Sequence, residues 1–401
     1  MNNLALYRKY RPKNFDEISG QSAIVQTLRN QIKYNKIGHA YLFCGLRGSG
    51  KTTTARIFAK AINCDNHVNG NPCCNCKYCN YNADVNPDLI EIDAASNNGV
   101  ENIRQLIDEV NYKPINMKYK VYIIDEVHML SNSAFNALLK TIEEPPAHSI
   151  FILATTELNK VPATIKSRCQ IYTFKFIEQQ DIVNQLKNIL MQENNNNFSD
   201  DVLQYIAKKS NGSLRDAVNI LDQSMSFNIN NTQVTLNDIR KIFGDVDTEV
   251  IQYFIDNIKN NNISDNIDML KKQYYEGRDL QCLLKDLYDF FFNAYQNEFN
   301  SINGLIYERY IRVLGSSISE MERNNQKKTI AEICLIKMCK PEMEKDYNSI
   351  VHRMNNLEHE LMLLKHNNIN NSQQEVIDEN VILYYNSACS NEFIIQEEFN
   401  G

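Results

Sequence analysis

No stretch of the 401-residue chain reaches the roughly 20 apolar residues that a membrane span needs, so a membrane-spanning helical protein is excluded. The first residues, Met1 to Tyr10, have no long apolar core, which excludes a secretory signal peptide and points to a cytoplasmic protein. An excess of basic residues is missing too. The formal charge is −7, which argues against a surface coated in positive charge. The deficit is uneven, because residues 1–60 carry 11 Lys/Arg against 2 Asp/Glu, so a local basic face remains compatible with nucleic acid. No internal repeat is evident. What is present is the composition of a soluble globular protein, 43% hydrophobic and 23% charged, on a chain long enough for two or three domains.

Residues 1–175 read as an α/β domain. Ala40–Cys44, Leu89–Asp93, Val121–Asp125 and Ser149–Ala154 are short apolar runs bounded by polar or turn residues, the pattern of buried strands. Val100 to Val110 and Ser133 to Glu144 carry helical periodicity, and Pro145-Pro146 ends the second. Strands alternating with helices predict a parallel sheet flanked by helices, with its binding site at the carboxyl ends of the strands. From about Ile177 the pattern is helical only, including 201–209 and 213–227. The expected domains are 1–176, a small all-α domain at 177–243, a second all-α domain at 244–366, and a flexible, Asn-rich tail at 367–401.

Gly45-Leu46-Arg47-Gly48-Ser49-Gly50-Lys51-Thr52 matches a phosphate-binding loop, with the strand before it and the helix after it that the motif requires. Its glycines let backbone N–H groups turn toward phosphate, Lys51 brings a cation to the β and γ oxygens, and the Thr52 hydroxyl can ligate Mg²⁺. Asp125-Glu126 leaves a buried strand of the same sheet. Asp125 is placed to hold the Mg²⁺ shell and Glu126 to polarise an attacking water, so the expected ligand is Mg-ATP.

Cys64, Cys73, Cys76 and Cys79 form C-x8-C-x2-C-x2-C within a Gly/Asn/Pro loop. In a reducing compartment such a cluster suggests metal before disulfide, and four thiolates make a closed, structural Zn²⁺ site. Cys74 is an alternative to Cys73. Cys44, Cys169, Cys282, Cys334, Cys339 and Cys389 are dispersed and read as core or surface residues.

Several segments together resemble the γ/τ clamp-loader family of bacterial DNA polymerase III. They are Tyr7-Arg8-Lys9-Tyr10-Arg11-Pro12, Phe15-Asp16, Gly20-Gln21, Gly38 to Phe43, the phosphate loop and the four-cysteine insert. Glu91 to Ser96, Ile124 to Leu130, Ala154 to Glu157, Ser167-Arg168-Cys169 and Leu214-Arg215-Asp216-Ala217 complete the resemblance, which covers about the first 245 residues. It implies an AAA+ ATPase domain, a helical lid and a helical collar. It also implies that Thr155 or Thr156 senses the γ-phosphate or the attacking water and that Arg215 is a second sensor. Arg168 would be an arginine finger into a neighbouring subunit's site, and Tyr10, Arg11 and Pro12 would border the adenine. The implied partners are other subunits of a five-membered ring, a sliding clamp and primed DNA, with single-stranded DNA-binding protein as a further candidate, at the replisome. Only about 35 residues follow the collar, which matches the family's short form. No separate carboxylate cluster suits two-metal nucleotidyl transfer, so the chain is expected to hydrolyse ATP and not to polymerise DNA. The intact loop argues against a purely structural subunit, and the cysteine insert with Ser-Arg-Cys argues against a branch-migration motor.

Overall fold

A computed structural model describes residues 4–79, 86–97, 99–227, 233–298 and 301–340, together with Met354, Leu357 and Leu361. The expected tail at 367–401, most of the chain after 340, and Cys389 lie outside the described residues. Two compact units divide at Phe243/Gly244.

The first unit opens with a short helix, α1 (Leu6–Lys9), then α2 (Ser22–Lys33), strand β1 (Ala40–Gly45) and α3 (Lys51–Ile62). After the cysteine insert come β2 (Leu89–Asp93), α4 (Val100–Val110), β3 (Lys120–Asp125), α5 (Asn132–Glu143), β4 (Ser149–Thr155), α6 (Ala163–Lys166) and β5 (Gln170–Phe174). The five strands form one sheet whose pairings are all parallel, in the order β2-β3-β4-β1-β5. The central strands are apolar throughout because both faces are covered. Tyr41, Phe43, Val121, Ile123, Ile150 and Ile152 point to the core shared with α2 and α3. Leu42, Tyr122, Ile124, Phe151 and Leu153 alternate to the opposite core, with Ile103, Leu106, Phe135 and Leu138 of α4 and α5.

The fifth strand is absent from the sequence reading, which gave four. Gln170–Phe174 is an edge strand with one neighbour, and only Phe174 is buried, so no apolar run announces it. Four helices follow in this unit: α7 (Gln179–Gln192), α8 (Asp200–Lys209), α9 (Leu214–Phe227) and α10 (Leu236–Phe243). They close a separate apolar cluster around Ile182, Leu186, Leu203, Ile206 and Leu221. Leu6 of α1 also packs there, so the chain's start is carried onto the helical part.

The described part of the second unit is helical: α11 (Thr248–Lys259), α12 (Ile263–Tyr275), α13 (Leu280–Glu298), α14 (Ile302–Arg323) and α15 (Lys327–Cys339). Its core gathers Phe254, Leu270, Leu284, Leu287, Phe291, Leu314 and Leu335. Arg309 is buried within it and donates to the carbonyl oxygens of Lys337 (3.0 Å) and Met338 at the end of α15. No helix among the described residues is long and apolar enough to cross a membrane.

Candidate nucleotide site and four-cysteine insert

The phosphate loop links β1 to α3 at the carboxyl edge of the sheet. Gly50 takes φ +99° as the residue capping α3, a conformation that a side chain would strain. At Gly48 (φ +77°) the restriction is also one of space. A Cβ there would lie 2.0 Å from Ser213 Oγ and 3.3 Å from Arg215 Cβ. The loop apex is therefore pressed against the start of α9, and Arg215 is brought to the loop from far along the chain. Its guanidinium also lies over the Tyr7 ring, 4.9 Å from the centroid.

Lys51 lies within the loop, with Nζ donating to the carbonyl oxygens of Gly45 (2.8 Å) and Leu46 (2.9 Å). Burial pulls its pKa down, and the charges of Glu126 and Asp125 act against that. Thr52 Oγ1 donates to Asp125 Oδ2 at 2.6 Å, and Asp125 Oδ1 accepts from the Glu126 backbone N–H at 2.9 Å. Loop hydroxyl and strand-end carboxylate are thus in direct contact. Leu46 and Arg47 are exposed at the loop's tip, whereas Ser49 is buried and donates back to Leu46 O at 2.8 Å.

The two candidate threonines behave differently. Thr156 Oγ1 donates to Glu126 Oε2 at 3.1 Å. Thr155 is fully buried in β4, paired in register with Cys44, and its hydroxyl accepts from Glu157 N (3.0 Å) and meets His128 Nδ1 (3.0 Å). Successive residues at a strand end face opposite ways, so only Thr156 reaches the glutamate.

The segment ahead of α2 borders the same region. Arg11 Nε donates to Thr53 Oγ1 at 3.1 Å, and burial holds its pKa down amid the charges of Arg56, Glu91, Asp125 and Arg215. Arg56 and Glu91 form a two-pronged ion pair at 2.5 and 2.6 Å. Tyr10 turns its hydroxyl to Glu193 Oε1 (2.6 Å) on the helical side, and Pro12 is half-buried next to Arg11. Arg168 is not drawn into this cluster. It pairs with Glu143 (2.5 Å) and donates to Thr164 O (2.9 Å). It precedes β5, so it lies at the amino edge of the parallel sheet, about 15 Å of strand from the loop.

The four-cysteine insert follows α3. The sulfurs of Cys64, Cys73, Cys76 and Cys79 all lie within 4.8 Å of one another, with Cys73–Cys79 and Cys64–Cys76 at 3.9 Å. Disulfide sulfurs would be about 2.05 Å apart. Four sulfurs around a tetrahedral Zn²⁺, each about 2.3 Å from it, are separated by about 3.8 Å, so the donor set and its spacing fit zinc. Backbone N–H groups of Asn75 and Cys76 pull the Cys73 thiol down to about 6, while burial pushes Cys64 and Cys79 up. A thiolate at the buried pair needs a cation beside it. Cys74 is turned out of the cluster at φ +58°, its thiol directed to Lys13 O and Pro72 O.

The insert is fixed to the domain at its tip. Asn71 Oδ1 accepts from Phe15 N (2.8 Å), its amide donates to Asp16, and Asn69 O accepts from Arg29 Nε (3.2 Å). Arg29 also pairs with Asp16 at 2.7 Å. A cleft of about 620 Å³ beside α2 is lined by Ile18, Arg29, Lys33 and Asn69 among others, and contains none of the phosphate-loop residues. Sequence reasoning missed the Arg56–Glu91 pair and the Asn71 anchor, because single polar residues without a motif carry no spacing signal.

With this geometry in view, comparison with known proteins is specific. A family model described as DNA polymerase III, delta subunit, matches residues 20–178, and one described as DNA polymerase III clamp loader subunit, ATPase lid domain, matches residues 181–229. The DNA polymerase III subunit tau of Bacillus subtilis is 38% identical over 90% of this chain and 68% of its own length. The DNA polymerase III subunit gamma of Buchnera aphidicola subsp. Schizaphis graminum is 47% identical over 58% of this chain and 64% of its own. The match to the Haemophilus influenzae tau/gamma subunit, at 47% identity, spans 60% of this chain and only 35% of that protein. Among solved structures, a Thermotoga maritima RuvB Holliday junction branch migration motor aligns over 62% of this chain and 79% of its own at 18% identity and a TM-score of 0.45, too slight a likeness to carry weight. On the strength of the tau and gamma relatives, the chain belongs to the gamma/tau subunit family of DNA polymerase III.

Proposed function

We propose that this chain is the ATP-hydrolysing motor of a cytoplasmic DNA polymerase III clamp loader, using Mg-ATP to place a sliding clamp on primed DNA. The observation that supports this most is the contact of Thr52 with Asp125 at 2.6 Å, with Glu126 and Thr156 adjoining. Loop glycines Gly45, Gly48 and Gly50 and the loop's N–H groups cradle the phosphates, and Lys51 exchanges its carbonyl partners for phosphate oxygens. Thr52 and Asp125 are the residues that would hold Mg²⁺, which supplies charge neutralisation on the transferred phosphoryl group. Glu126 takes a proton from the attacking water, with Thr156 orienting its carboxylate.

Arg215, beside Gly48, reports nucleotide state to the helices α7–α10. Arg168 completes the site of a neighbouring subunit in a ring, since its place at the far edge of the sheet keeps it from serving its own. Tyr10, Arg11 and Pro12 border the base and sugar. The four cysteines hold a structural Zn²⁺ that fixes the insert. The second unit (from Gly244) is the collar through which the subunits associate, and single-stranded DNA-binding protein is a further partner.

The test is an ATPase assay of the chain assembled with its loader partners, with and without cognate clamp and primed DNA. Strong stimulation requiring both supports the loader. Hydrolysis indifferent to the clamp but driven by branched DNA would replace it with a branch-migration reading.

A further inference from the structure

Glu126 stands at φ 46°, ψ 44°, a left-handed conformation that side chains other than glycine rarely adopt. Such a backbone persists only where its surroundings hold it, and such positions cluster at functional sites. Its carboxylate accepts from Thr156 and has one further polar side chain beside it. His128 lies two residues on, in the tight turn Val127–Met129, with a side chain only 6% exposed. Its Nδ1 lies 3.4 Å from Glu126 Oε2 and 3.0 Å from Thr155 Oγ1. Its Nε2 lies 3.5 Å from Glu157 Oε1, and Glu157 is in turn paired with Lys160 at 2.8 Å.

The imidazole is therefore wedged between two carboxylates, with a buried hydroxyl fixing its plane. A histidine serving only to fill the core would still need polar partners for its ring nitrogens. Here both nitrogens meet oxygen, and one of those oxygens belongs to the carboxylate proposed to activate water. The same oxygen, Oε2, also receives the Thr156 hydroxyl, so two side chains converge on it and leave Oε1 for another partner.

We propose that His128 is a positioning residue for hydrolysis: it fixes the Glu126 carboxylate in its strained turn and so sets the turnover rate without contributing to nucleotide binding. This rests on the reading of Glu126 as the group that activates water. The full chain, alone and assembled with its loader partners, is compared as wild type, His128→Ala, His128→Asn, Glu126→Gln and the Glu126→Gln/His128→Ala double variant. ATP affinity is measured by titration with a fluorescent nucleotide, and kcat by phosphate release.

His128→Ala should lower kcat about ten-fold with ATP affinity within about two-fold of wild type, by analogy with the cost of misplacing a reacting group. His128→Asn, whose amide reaches the Nδ1 position, should recover part of that loss. In the Glu126→Gln background, His128→Ala should lower the residual rate no further. Wild-type kcat in His128→Ala overturns the proposal. So does a parallel fall in affinity and melting temperature with no recovery in His128→Asn, which marks a packing role; if the alanine variant does not fold, the asparagine variant must show lowered kcat at unchanged affinity, or the proposal fails. Glu126→Gln that turns over at the wild-type rate would instead bring down the underlying assignment of the glutamate.

Discussion

The nucleotide site and the four-cysteine insert adjoin the same helix and are built in opposite ways. The site draws Arg11, Lys51, Thr52, Asp125, Glu126, Thr156 and Arg215 from most of the length of the first unit, and nothing but the parallel sheet and the packing of α9 brings them together. The insert takes all four sulfurs from the 16 residues Cys64 to Cys79, all within one short loop. A distributed site is exposed to any distortion of the fold. A local one is exposed only to loss of a ligand or of its anchor, and it can in turn brace what it touches.

The sharpest break in this comparison is expected from residues serving the distributed site across copies. Arg168→Ala should lower the DNA-stimulated hydrolysis of the assembled loader by about 10³-fold while leaving ATP binding intact, the scale of a lost arginine finger. Hydrolysis near the wild-type rate would return Arg168 to a plain ion pair with Glu143. Lys51→Ala should cost about 10²-fold or more in kcat/KM, while metal analysis still finds about one zinc per chain, since removing one charge-stabilising group is worth that much. Loss of zinc in that variant would show the two regions to be one structural unit.

Smaller effects test the bracing. Asn71→Ala should keep its zinc and raise the KM for ATP by up to about five-fold, because it removes a contact worth about 1 kcal/mol from the segment that carries Arg11. An unchanged KM would confine the insert to local stability. Least of all should be a pH effect at the start of the chain. Hydrogen bonds from Lys9 and Tyr10 hold the Glu193 carboxyl below its ordinary value of 4.5. A depressed folded-state value means the tie is complete above about 4.5 and is lost as pH falls below it. Melting temperatures of wild type and Glu193→Gln should therefore differ at neutral pH and converge on acidification; a constant gap would deny the ionised tie.

The same contrast explains what could be read from the chain alone. The loop, the Asp125-Glu126 pair and the cysteine spacing are contiguous, and contiguous chemistry is legible as spacing. Strands β1, β3 and β4 were legible because burial on both faces demands apolar runs, and the edge strand β2 because it still carries Leu89, Ile90 and Ile92. β5 was not, since an edge strand with a solvated side lacks that demand. The choice between Thr155 and Thr156 depends on which way one side chain leaves a strand end, and the choice between Cys73 and Cys74 on a single left-handed residue. Neither has a counterpart in composition. Arg168 and Arg215 are isolated arginines that only resemblance could single out, and His128 carries no signal beyond its motif, because the fold alone sets Glu126 and Glu157 on either side of it.

The strand order has a consequence for how the protein is made. β1, which carries the phosphate loop, has β4 and β5 as its neighbours, so Ala40 must wait for Phe151 and Tyr41 for Gln170. During synthesis, the sheet cannot close around the loop until Phe174 has left the ribosome, whereas all four sulfurs of the cysteine loop are available as soon as Cys79 emerges. Contacts so distant in sequence form late and leave apolar strands exposed meanwhile. Chaperone dependence of the nascent chain should accordingly peak between those two points and fall once β5 is in place.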